Sequence, residues 1–126
     1  MKWLDRATVL APFMTLCLTE KEFLRAAKHC RIKDPGSWLD EDKSQATCHT
    51  WQSGSRLVCI VCLHPDLLRA DPIVVAATIV HESVHAFQRL CDSIGENQPS
   101  REFEAYSIER ISERLMREFA RRVKES

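Results

Sequence analysis

The sequence predicts an α+β fold, a small mostly antiparallel sheet packed with helices, in which a long central helix is followed by a C-terminal one. Three observations predict it. Ala46 to Trp51 alternates as a strand does, and the apolar run Arg56 to Leu63 returns beside it through Gln52-Ser53-Gly54-Ser55. Asp71-Pro72 places an acid at an N-cap and proline at the first helical position, opening a helix to about Cys91. Ser100 to Lys124 keeps a helical period, with Ile108, Ile111 and Leu115 on one stripe.

The other elements follow in order. Thr8 to Leu18 reads as a first strand, and Pro12 puts it at an edge or makes a bulge. Thr19 with Glu22 is a capping box, opening a helix from Glu20 to about Arg31 whose core stripe is Phe23, Ala27 and Cys30, widened by Leu24. Asp34-Pro35-Gly36-Ser37 makes a turn, and Trp38 to Lys43 is an irregular acidic connection. His64-Pro65 closes the hairpin, with a short helical turn from Pro65 to Arg69. Ile73 to Val80 is almost wholly apolar, so this half of the central helix is expected to be buried on most sides. Gly95 to Pro99 is the loop before the last helix.

At 126 residues the chain suits a single domain spanning 1–126. Eighteen basic residues balance eighteen acidic ones, which argues against nucleic acid or membrane as the main partner. Ala7 to Leu18 loosely mimics a signal peptide, but Asp5 and Pro12 interrupt the pattern and no cleavage site follows, so a cytoplasmic protein is expected. Of the six cysteines, Cys59 and Cys62 form C-x-x-C within a strand, where positions i and i+3 face opposite sides. They are expected to be buried thiols rather than a metal or redox pair.

His81-Glu82-Ser83-Val84-His85 carries the chemistry. Residues four apart share a helix face, so both imidazoles can close on one metal ion. Glu82 between them is placed to act as general base toward a metal-activated water. A catalytic zinc needs a third protein ligand. Glu104 lies within roughly 40° of Ile108, Ile111 and Leu115 at about 100° per residue, so it is expected on the buried stripe of the last helix, where a carboxylate needs a positive partner. Glu102 points to nearly the opposite side.

Eighteen residues separate His85 from Glu104, and this H-E-x-x-H-x18-E pattern resembles the gluzincin metallopeptidases. The resemblance implies His81, His85 and Glu104 as zinc ligands, Glu82 as the proton carrier, and a peptide or protein as substrate. It covers chiefly Ile79 to Ile111. Through Cys59-Ile60-Val61-Cys62, Ile94-Gly95-Glu96 and Glu102 to Tyr106, the chain is also similar to small zincin-type proteins of phages and prophages. That likeness implies a minimal zincin-like domain and supplies no substrate; the resemblance to zincin folds implies that Ala46 to Trp51 or Arg56 to Leu63 binds an extended peptide by strand addition.

Gluzincins use a second donor for the oxyanion, and Tyr106, His49 and His64 are the candidates here, with His49 preferred. The family's acid one turn after the third ligand is replaced by Ile108, leaving a backbone carbonyl or Ser107 for that support. Two alternatives stand beside the peptidase: a zinc-binding regulatory or protein-interaction module with little turnover, and a metal-free domain. The cations Arg110, Arg114, Arg117, Arg121, Arg122 and Lys124 are interleaved with Glu109, Glu113, Glu118 and Glu125, as on a solvated helix face.

Overall fold

The computed structural model describes residues 2–4, 12–39, 45–53 and 56–126. Four strands form one sheet in the order β1-β2-β4-β3: β1 (Trp3–Leu4), β2 (Phe13–Cys17), β3 (Ala46–Ser53) and β4 (Arg56–Leu63). Three helices complete the fold: α1 (Glu20–His29), α2 (Pro72–Ile94) and α3 (Arg101–Glu125). The β1–β2 and β3–β4 pairings are antiparallel and β2–β4 is parallel. The sheet is therefore mixed, and mostly antiparallel as expected.

Alternation along β4 explains why its sequence is apolar throughout. Leu57, Cys59, Val61 and Leu63 pack with Ile79, Ala86 and Phe87 of α2 and with Ile111 and Leu115 of α3. Val58, Ile60 and Cys62 face the other way, toward Phe23 and Ala26 of α1. A strand covered on both sides needs apolar residues at every position. The C-x-x-C pair is split between those two faces. Cys59 hydrogen-bonds Cys48 on one face and Cys62 hydrogen-bonds Cys17 on the other. These contacts, together with burial, raise both thiols above their ordinary pKa.

Capping residues set the helix ends. Thr19 accepts from the Glu22 N–H, and Glu22 reaches back to accept from the Leu18 N–H at 3.0 Å. Asp71 caps α2 by accepting from the Ile73 N–H at 2.9 Å, and Pro72 follows at the first helical position. Gly95 ends α2 at φ 73°, and the Glu96 N–H then bonds the Cys91 carbonyl at 2.9 Å. This left-handed position favours glycine.

Several expectations need correction. β2 lies between β1 and β4, so it is an inner strand, and Pro12 precedes it. The predicted strand residues 8–11, residues 40–43 of the acidic connection and residues 54–55 of the hairpin connection lie outside the described residues. Leu24 is exposed rather than part of the α1 stripe. The apolar first half of α2 is not buried on most sides: Ile73 is 78% and Val74 52% exposed. The sheet covers one side of α2 and α3 a second, so apolar residues outside those two contacts face solvent.

Candidate metal centre

Residues 81 and 85 stand one turn apart on the solvent-facing side of α2, and both imidazoles are exposed. Their Nε2 atoms are 3.2 Å apart, and the rings meet edge-on with centroids 4.8 Å apart. Two imidazole nitrogens at about 2.0–2.1 Å from one tetrahedral zinc would sit roughly 3.3–3.4 Å apart. The observed spacing is thus close to that of two ligands of one ion. The same spacing accommodates an N–H···N bond between the rings.

Gln88 selects how His85 presents itself. Its Oε1 lies 3.2 Å from His85 Nδ1, within hydrogen-bond distance, and His85 Nε2 is the ring nitrogen that faces His81. A hydrogen bond on the far ring nitrogen is the usual means of orienting a metal-binding histidine. Gln88 follows three residues after His85 on the same helix, and that spacing alone would have identified it.

Glu82 lies between two exposed histidines but is itself buried, 5% exposed, as is Ser83. The Ser83 hydroxyl donates to the Ile79 carbonyl at 2.7 Å. After Cys17 and burial, the Glu82 charge adds to what keeps the Cys62 thiol protonated.

Glu104 departs from the sequence expectation. Ile111 and Leu115 of its stripe are buried and Ile108 half-buried, yet Glu104 is exposed. Phe103 is the reason. It enters against Phe87 with ring centroids 5.6 Å apart, which leaves its neighbour in the first turn of α3 facing water. Among the described residues, no group of three or more His, Cys, Asp or Glu side chains is assembled for a metal. His81 and His85 are brought together at ligand-like spacing, and Glu104 is not grouped with them.

His49 is also not brought to the pair. Alternation along β3 puts Cys48 with the α2 cluster and leaves His49 and Trp51 on the α1 face. There His49 stacks on Trp51, sits 4.6 Å from the Phe23 ring, and bonds the Trp38 carbonyl at 2.8 Å. It is a structural residue of the opposite sheet face. His64 accepts from the Asp66 N–H as an N-cap, and Tyr106 is 65% exposed.

Arg89 went unnoticed in the sequence. Its Nε donates to Thr50 Oγ1 at 3.0 Å, tying α2 to β3. Beside that bond is a cleft of about 410 Å³ lined by Thr50, Gln52, Leu57, Asp92 and Ser93 among others. No helix among the described residues is long and apolar enough to cross a membrane. Comparison with protein-family models, curated proteins and solved structures gives no match to this chain.

Proposed function

We propose that this chain is a cytoplasmic, zinc-dependent metallopeptidase-like protein in which His81 and His85 hold the ion and the exposed Glu104 side chain turns in from the first turn of α3 to complete the ligand set. The observation that carries this reading is the 3.2 Å approach of two imidazole Nε2 atoms, one of them oriented by Gln88. Zinc bound there would supply an activated water and polarise a peptide carbonyl. Glu82 would take the water proton and pass it to the leaving amine. β3 is the sheet-edge strand nearest α2, which favours it over the inner β4 for pairing with an extended peptide.

The test uses untagged protein. The intact chain is expected to carry near-stoichiometric zinc by elemental analysis, and His81→Ala or His85→Ala to lose it. Glu82→Gln should keep the metal and abolish peptide cleavage.

The burial of Glu82 and the exposure of Glu104 favour a second reading, a zinc-binding interaction module of the same fold without turnover. Under that reading zinc retention is unchanged, while Glu82→Gln leaves the biological activity intact.

A further inference from the structure

The α2–α3 hairpin exposes more apolar surface on its outer side than the chain itself covers. Val80 of α2, 39% exposed, lines the seam with Ile108, Met116 and Ala120 of α3, and Val75 and Ile79 continue it beside Val123. Two hollows of about 680 and 450 Å³ run along this seam and share Met116 and Ala120, so they form one groove. Ser112 lines it and is 7% exposed. Its Oγ is, among the described residues, the buried side-chain polar atom left without a hydrogen bond.

The charges bordering the groove indicate what occupies it. Glu109 stands toward one end and Lys124 at the other, fifteen residues apart (109 to 124). Neither has an ion-pair or hydrogen-bond partner among the described residues. Between them Glu113 and Arg117 pair at 2.8 Å, so the border runs from acidic to basic along α3. The midpoint falls between Met116 and Arg117. A second copy laid antiparallel about a two-fold axis there sets each Glu109 against the other copy's Lys124 and brings the two Met116 side chains together. Such a patch is complementary to itself, as an isologous contact requires.

We propose that the protein is a homodimer joined through this groove, with α3 of each copy antiparallel to the other and the Glu109–Lys124 pair formed twice. The proposal does not rest on the metal reading, since His81 and His85 line neither hollow.

Sedimentation or light scattering of the full chain over a wide concentration range tests it. The expected mass is 29 kDa, twice the 14.5 kDa of one chain. Glu109→Lys and Lys124→Glu each replace two attractive contacts by two repulsive ones, and each should weaken the dimer about tenfold or more. The double variant Glu109→Lys/Lys124→Glu restores the pairing and should return to within about threefold of wild type. Both side chains are exposed, and unchanged circular dichroism and melting verify that every variant folds. A monomer at all concentrations, or a dimer indifferent to the two single changes, overturns the proposal.

Discussion

Arg122 donates two hydrogen bonds to Glu22, at 3.0 and 2.7 Å, tying the last turns of α3 to the first turn of α1 across one hundred residues of sequence. Both side chains are 16% exposed. The same carboxylate accepts from the Leu18 N–H, so one residue organises a helix start and a long-range clamp. Removing Arg122 leaves a mostly buried carboxylate without its cation. Arg122→Ala is expected to cost about 2–3 kcal/mol in urea unfolding, below the 3–5 of a fully buried pair.

The clamp also predicts a pH dependence. Burial pushes the Glu22 carboxyl up, but the Arg122 hydrogen bond and charge, with the Leu18 N–H, outweigh it and hold the group below its ordinary value. A carboxyl depressed in the folded state stabilises above the unfolded value of about 4.3, and that contribution fades as pH falls through the lower folded value. The stability gap between wild type and Glu22→Gln should therefore be constant above about pH 5 and shrink below it. A gap that widened on acidification would contradict the assignment.

Gln88 gives a prediction specific to the histidine pair. If its amide orients His85, Gln88→Ala should weaken zinc binding by about 10-fold or more while leaving the melting temperature of the metal-free chain nearly unchanged. Titration calorimetry with zinc alone reads this out. Equal affinity for wild type and variant would reduce Gln88 to a surface residue.

Cysteine labelling should separate the six thiols by position. Cys17, Cys59 and Cys62 are fully buried, whereas Cys30 and Cys48 are partly exposed. Cys59 and Cys62 are further held protonated by their thiol neighbours and by burial. Alkylation of the native chain should reach Cys30 or Cys48 first. Cys17, Cys59 and Cys62 are expected to react about a hundredfold more slowly, and only through opening of the fold, with Cys91, 7% exposed, in between. Mass spectrometry of timed samples would show it.

Gly95 offers a backbone test. No heavy atom lies within 4 Å of a Cβ built there, so Gly95→Ala meets no steric obstacle beyond its own φ of 73°. The expected cost is about 1–2 kcal/mol from forcing alanine into the left-handed region. A similar loss in thermal melts would confirm conformation rather than packing as the cause.

Local signals were legible in the sequence wherever the chain itself supplies the interaction. The Thr19, Asp71 and Ser100 caps each bond a backbone N–H two or three residues on, and the β3–β4 hairpin pairs neighbouring segments. What depends on long-range placement was not legible. The β2–β4 parallel pairing turns a supposed edge strand into an inner one. In the site, the i, i+4 rule anticipated the approach of His81 and His85. Helical arithmetic alone misplaced Glu104, because it cannot foresee that Phe103 packs on Phe87. His49 is favoured in the sequence by its place on the strand before the hairpin, and strand alternation assigns it to the face away from α2.

The mixed sheet carries a consequence for how the chain assembles. β3 and β4 are adjacent in sequence and close as a hairpin with little loss of chain freedom, whereas Cys17 meets Cys62 only after forty-five residues (17 to 62) have been looped back. The half of the sheet bearing β1 and β2 thus forms late, and its docking, which also seals the α1 face, should govern the folding rate. An early species would have a finished ribbon of β3 and β4 with one raw flank of unpaired amides along β4, and during that interval the chain is most prone to sticking to others.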